Sequence, residues 1–319
     1  MPSLVTGATG LVGFHIVEAL FRAGDRPRVL VRNLDKARAL FGERVEAVLG
    51  DVTDEATVLA ALPGMDTVFH AAGHPEQWLK DIGAFERVNV GGTRNVVSAC
   101  RRAGVHRLVY TSTIDVFEAG PGSLFNEDVL ASRPKGTPYE RSKQQADQVV
   151  TQALAEGLDA VFIHPAAVYG PGPAQSRGIN DFVKDLKAGK VPALLPGGMP
   201  VVFASDVGEA HVRAARRACA GDRFILSERF VTLRDLAVAA NAALRMSRVP
   251  MVIPLILAKT MSAVTEAVAE LTGRPPLVPA GQLHFLQWGA IPNAQRARQM
   301  LGIEFTTLDA GLTALVASW

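Results

Sequence analysis

The first apolar run, residues 3–6, passes without a break into Gly7-Ala8-Thr9-Gly10-Leu11-Val12-Gly13, and a helical pattern follows over 11–23. Few sequence features constrain a fold more tightly. A strand that ends in a glycine-rich turn and opens directly into a helix starts a right-handed β-α-β crossover. Glycines at 7, 10 and 13 permit a tight turn, close backbone approach to a phosphate and close helix–strand packing. The free N–H groups at the helix start favour an anion. The spacing is G-x-x-G-x-x-G rather than G-x-G-x-x-G, so a turn that holds no ligand stands as the alternative.

The rest of the chain repeats the pattern. Strands are expected at 3–6, 28–31, 45–49, 67–70, 107–112 and 160–164, mostly as continuous apolar runs of the kind buried on both faces. Helical patterns lie between them at 34–41, 56–62, 85–103 and 138–156. The expected fold class is α/β, a Rossmann-type doubly wound parallel sheet. After Pro165 the rhythm changes. Gly/Pro-rich loops at 169–173 and 192–200 flank a short helix at 179–188, and the tail from Thr232 is helical, broken at Pro250, Pro254 and 275–279. This predicts a dinucleotide-binding domain over 1–165 with a returning segment near 201–228. A smaller, discontinuous C-terminal substrate lobe would use 166–200 and 229–319. Helix 207–218 reads as a basic surface face through His211, Arg213, Arg216 and Arg217, and the apolar run 249–258 as packing for the second lobe.

Charge excludes other classes. Lys plus Arg (33) against Asp plus Glu (31) leaves +2, which argues against a nucleic-acid partner. Two cysteines, Cys100 and Cys219, rule out a disulfide framework. The start lacks a signal-peptide pattern, and no apolar run approaches the roughly twenty residues of a membrane span. A cytoplasmic protein acting on a small molecule is expected, with a homodimer as an assembly to test.

Several strand ends bear on a dinucleotide. At the end of the second strand, an NAD site places a carboxylate for the ribose hydroxyls. Here stand Arg32 and, one turn later, Lys36, a pair suited to a 2′-phosphate. NADP(H) is therefore the expected cofactor, with NAD(H) as the alternative and a merely solvated Arg32 as the bland reading. Asp51 and Val52 close the third strand and suit an adenine, or a helix cap. Ala71-Ala72-Gly73 is a strand exit of small residues where backbone passes close to a cofactor. His70 and His74 flank that exit, and no metal site is expected.

Chemistry concentrates at Thr113, Tyr139 and Lys143. Thr137-Pro138-Tyr139-Glu140 reads as a capping box with proline at the first helical position. Tyr139 and Lys143 then share one helix face. An ammonium beside a phenol would stabilise the phenolate, so Tyr139 could exchange a proton with a carbonyl or alcohol oxygen. Thr113, at the end of the fifth strand, would hold that oxygen. Trp78, Phe117, Phe203 and Trp288 lie in segments that should rim a substrate cleft, with a place in the core as the commoner role for such residues.

With these motifs the chain resembles the extended short-chain dehydrogenase/reductases, the NAD-dependent epimerase/dehydratase family, over nearly its whole length. The resemblance rests on 6–13, Asn89-Val90-Gly91-Gly92-Thr93, Tyr139 through Lys143, and His164-Pro165 followed by Val168-Tyr169-Gly170-Pro171-Gly172. It is strongest to the dihydroflavonol-reductase, 3β-hydroxysteroid-dehydrogenase-like and hopanoid-associated sugar epimerase branch, which 271–276 also resembles. It implies Thr113, Tyr139 and Lys143 as the catalytic set. It implies Gly7, Thr9, Gly10, Leu11, Val12, Asn89, Thr111, Pro165 and Val168 as cofactor neighbours beside those named above. His164 replaces the asparagine usual in sugar-nucleotide epimerases, and reads equally as a strand-end histidine or a substrate contact. The implied activity is NADP(H)-dependent carbonyl–alcohol interconversion on a fairly apolar substrate. A nucleotide-sugar epimerase or dehydratase is the alternative, with Arg177, Lys184 and Lys187 as cations for a second pyrophosphate. A non-catalytic NADP(H) sensor is the alternative from another class.

Overall fold

The computed structural model describes residues 1–173 and 178–319. Its strands in chain order are β1 (Ser3–Thr6), β2 (Arg28–Val31), β3 (Glu46–Leu49), β4 (Thr67–His70), β5 (Arg107–Thr111) and β6 (Leu124–Phe125). There follow β7 (Ala160–Pro165), β8 (Ala167–Tyr169), β9 (Gly198–Phe203), β10 (Arg223–Leu226), β11 (Arg229–Thr232) and β12 (Ile291–Pro292). The first helices are α1 (Leu11–Arg22), α2 (Leu34–Phe41) and α3 (Glu55–Ala60). Next, α4 (Gly83–Phe85) runs through a π-helical turn, Glu86–Gly91, into α5 (Gly92–Ala103). The remaining helices are α6 (Pro138–Ala155), α7 (Ile179–Lys187), α8 (Ala204–Arg217), α9 (Leu233–Leu244), α10 (Leu255–Thr272), α11 (Ala280–Trp288) and α12 (Leu308–Ala317).

Seven strands form one parallel sheet in the order β3-β2-β1-β4-β5-β7-β10. The order reverses between β1 and β4, where an open α/β sheet leaves a crevice beyond its strand ends. Helices cover both faces: α1, α2 and α8 pack on one core, and α3, α5 and α6 on the other. Near-complete burial of β1, β4, β5 and β7 explains their unbroken apolar runs. A second sheet, β8-β9-β11, carries a core of its own with α7, α9 and α12. No helix among the described residues is long and apolar enough to cross a membrane.

Three expectations need correction. Residues 198–200, expected in a loop, open β9, whose partners come from distant sequence. The apolar run at 249–258 packs into the second lobe only in part: Val249, Ile253, Leu255 and Ala258 join apolar clusters, Leu255–Ala258 opens α10, and Met251 (82% exposed) and Ile256 (77%) face outward. Helix α8 does expose Arg216 and Arg217, but His211 is fully buried and not part of that face, and Arg213 and Arg217 donate to the Leu301 carbonyl, which fastens the C-terminal segment over the helix.

Helix α8 lies so close to α1 that a Cβ on Gly208 would sit 2.2 Å from the His15 carbonyl oxygen. Gly208→Ala is therefore expected to force these two helices apart and cost about 1–3 kcal/mol. Urea unfolding should show a lower midpoint with an unchanged slope, and an unchanged midpoint would mean the helices separate freely.

Candidate active site

The glycine turn is built as its residue types require. Gly7 has φ +72°, and a Cβ there would lie 2.6 Å from the Ala71 carbon and the Ala72 nitrogen at the exit of β4. A Cβ on Gly13 would meet the Gly7 carbonyl oxygen at 2.2 Å. Gly10 is the N-cap of α1 and supplies no capping side chain, so the helix start presents its N–H groups beside Thr9, Leu11 and Val12. An anion such as a pyrophosphate fits this cradle.

A buried polar chain links the cradle to Asn89. The Thr6 hydroxyl bonds His70 Nδ1 at 2.7 Å, His70 Nε2 bonds Thr93 Oγ1 at 3.1 Å, and Thr93 donates to the Asn89 carbonyl at 2.6 Å. Because Thr93 spends its proton on that carbonyl, His70 donates through Nε2 and accepts at Nδ1. Burial, helped by the charge of Lys143, lowers His70 to about 3, so the ring stays neutral. Asn89 sits in the π-helical turn. Its Oδ1 accepts the His74 N–H at 2.7 Å and its Nδ2 donates to Ser142 Oγ at 2.9 Å, which ties the exit of β4 to α6.

At the edge of β2, Arg32 is exposed and makes no hydrogen bond or ion pair with the described residues, while Asn33 caps α2 by accepting the Lys36 N–H at 2.9 Å. Asp51 Oδ1 accepts from both the N–H and the hydroxyl of Thr53; the cap of α3 is Asp54. Val52 is buried, and its carbonyl accepts from Asn95. Pro165 closes β7 opposite Leu226, and Val168 lies half-buried in β8.

Helix α6 starts where expected, with the full capping box between Thr137 and Glu140. Tyr139 is half-buried, edge-on to Phe85, and faces the Thr113 hydroxyl. Lys143 is on the same side of the helix, but its Nζ donates to the Thr111 carbonyl at 2.8 Å and lies over the Tyr110 ring. The expected electrostatics change accordingly. Burial raises the Tyr139 pKa above the usual phenol range, and Asp115, Glu140 and Glu76 add to the rise, against the Thr113 hydrogen bond. Burial lowers Lys143 to about 8, opposed by Asp147 and Asp115. Tyr139 thus holds its proton firmly.

Other expected contacts turn inward. The Thr111 hydroxyl bonds His211 Nε2 at 2.8 Å, since His211 Nδ1 is occupied by the Val207 carbonyl, so Thr111 positions Lys143 through its own carbonyl. His164 is fully buried between the Thr113 carbonyl at Nδ1 and Arg223 at Nε2, which closes it to substrate. Phe117 is fully buried against His164, and Phe203 is 9% exposed against Tyr169; both are core rather than rim. Trp78 remains half-buried, and Trp288 donates to the Ala119 carbonyl. Lys184 and Lys187 lie over the Trp319 ring, and Arg177 is outside the described residues. No group of three or more metal-ligating side chains occurs among the described residues.

Two residues that sequence reasoning passed over matter here. Ser142 joins Asn89 to α6 and could have been marked by its place between Tyr139 and Lys143. Asp115, two residues beyond Thr113, is buried and accepts the Thr113 hydroxyl proton at 2.8 Å.

Comparison with known proteins gives a consistent picture. The profile of the NAD dependent epimerase/dehydratase family matches residues 3–226. The chain is 28% identical over 320 residues to sterol demethylase protein B of Methylococcus capsulatus, covering 99% of this chain and 98% of the other. It is 29% identical over 335 residues to 2-alkyl-3-oxoalkanoate reductase of Stenotrophomonas maltophilia, covering 100% and 99%. The UDP-glucose 4-epimerase of Thermus thermophilus, solved with NAD, superposes with a TM-score of 0.80 at 23% identity, covering 100% and 98%; at that identity the likeness is one of fold.

Proposed function

Because the chain belongs to the NAD-dependent epimerase/dehydratase family, we propose that it is an NADP(H)-dependent oxidoreductase interconverting a carbonyl and an alcohol on a fairly apolar substrate. The observation that carries this reading is Tyr139 and Lys143 on one side of α6, with Lys143 anchored on the Thr111 carbonyl at the end of β5 and Thr113 just beyond it. A bound nicotinamide dinucleotide supplies the hydride. The chain's own residues do the rest. Tyr139 gives its proton to the carbonyl oxygen in reduction and recovers it in oxidation, and Thr113 holds the same oxygen. Lys143, anchored on the Thr111 carbonyl, keeps a positive charge near the developing alkoxide. The cradle of Gly7, Thr9, Gly10, Leu11 and Val12 would take the pyrophosphate, with Asp51, Val52, Ala71, Ala72, Gly73, Asn89, Pro165 and Val168 around the remainder. Relatives named for a sterol and for an alkylated oxoalkanoate support an apolar substrate. The nucleotide-sugar alternative is not favoured by the site, since Lys184 and Lys187 are engaged with Trp319 and His164 is enclosed. NADPH oxidation with a panel of ketones and β-keto acids or esters tests the reading. No turnover across the panel, with protection from unfolding by a UDP-sugar, would reverse it.

Cofactor choice rests on Arg32. Its guanidinium is exposed and has no partner among the described residues, so it can meet a 2′-phosphate with a planar fork of donors, and Lys36 lies one turn on. Charged hydrogen bonds contribute about 1.5–3 kcal/mol, so Arg32→Ala should weaken NADPH binding roughly ten- to a hundredfold and leave NADH nearly unchanged. Arg32→Asp should invert the preference by adding repulsion and a ribose acceptor together. Fluorescence titration of both cofactors decides it: wild-type protein that binds NADH as tightly as NADPH would make Arg32 a plain surface residue.

A further inference from the structure

Asp115 lies on the 3-10 turn Ile114–Val116 and is 4% exposed. Its Oδ2 accepts the Thr113 hydroxyl at 2.8 Å, and its Oδ1 is buried without a hydrogen-bond partner. Glu140, Lys143 and Tyr139 face it from α6, and Lys135 from the loop before that helix.

The hydroxyl of Thr113 has one proton. Donated to a carboxylate, that proton is withdrawn from the reaction, and Thr113 Oγ1 is left an acceptor only, as it already is for the Asp115 backbone N–H at 3.3 Å. A neutral carboxyl reverses the chain: its O–H donates to Thr113 Oγ1, and the Thr113 proton is free to turn outward.

We propose that Asp115 is a positioning residue that acts through Thr113, turning the hydroxyl toward the reacting oxygen in its acid form and away from it as carboxylate. This rests on the carbonyl–alcohol reading given above. Burial, with Glu140, raises Asp115 to about 7 against the Thr113 hydrogen bond and the two lysines, so both forms are populated near neutrality. Reduction should therefore decline as pH rises through that value. The alkaline limb from Lys143 lies higher, near 8.

The test has two arms. In the first, kcat/KM for NADPH-dependent reduction is measured on either side of pH 7. Wild-type protein should lose activity about tenfold per pH unit above the limb. Asp115→Asn, which carries a permanent donor and no charge, should fall with one ionisation where the wild type falls with two; the one left is that of Lys143, moved down from about 8 by loss of the Asp115 charge. A variant that keeps both ionisations overturns the proposal. In the second arm, carbon-13 NMR follows the aspartate side-chain carboxyls of the wild-type protein and of Thr113→Val. One carboxyl should titrate near 7 and shift higher in Thr113→Val, which removes the hydrogen bond that favours the carboxylate. That shift assigns the resonance even if Asp115→Asn does not fold. Absence of such a titration overturns the positioning role without reference to any substrate. Its presence in a protein that reduces no carbonyl would instead sink the functional reading, and the proposal with it.

Discussion

Replacing Tyr139 by phenylalanine is expected to lower turnover by about two to four orders of magnitude, the usual contribution of a positioned general acid. The ring packs edge-on to Phe85, and helix α6 is fixed by its capping box and by Ser142, none of which needs the phenol oxygen. What disappears is the single proton facing Thr113. NADPH affinity and the unfolding midpoint should therefore stay at wild-type values while kcat collapses. Full turnover in Tyr139→Phe would remove proton transfer by this residue from the account.

The second large effect concerns stability. Asp147, on α6, is 2% exposed; its Oδ2 accepts the Ser112 hydroxyl at 2.7 Å and its Oδ1 the Arg223 guanidinium at 2.8 Å. Arg223 also donates to Thr151 at 2.7 Å and lies 3.8 Å over the Phe162 ring. Removing one partner of a buried pair leaves the other charge uncompensated, at a cost of roughly 3–5 kcal/mol. Asp147→Ala should accordingly lower the unfolding midpoint by about 2–4 °C for each of those kcal/mol. The double replacement Asp147→Leu with Arg223→Leu should recover much of the loss, since apolar packing often matches such a pair. A single variant within about 0.5 kcal/mol of wild type, as for ordinary surface substitutions, would show the pair to be solvated.

The legible and illegible parts of this chain separate by range. Strands β1, β2 and β4 could be bounded to the residue because apolar runs between Gly, Pro and Asp are local facts. The start of α6 was equally readable, since Thr137, Pro138 and Glu140 carry the instruction themselves. Strand β10 is only Arg-Phe-Ile-Leu, and its identity comes from pairing with β7 some sixty residues earlier. The fate of His211 depended on α8 lying against the main sheet, which helical periodicity alone does not reveal. At the site, i,i+4 spacing placed Tyr139 and Lys143 on one face, but only three-dimensional packing directs Nζ to the Thr111 carbonyl. Asp115 looked like any short polar residue after a strand; burial is what gives it chemistry.

The order of the main sheet has a practical consequence. Its outermost strand, β10, is made by the chain only after most of the second sheet, whose final strand β11 follows directly. A fragment cut after Pro165 would end on β7 with Phe162–Pro165 facing solvent where Arg223–Leu226 should pair, and α1 would lose α8. Such an uncovered, apolar edge recruits other chains. The N-terminal half thus cannot be borrowed as a stand-alone nucleotide module: expressed alone it should aggregate, and during synthesis the ribosome must deliver more than two hundred residues before the first half has a finished border.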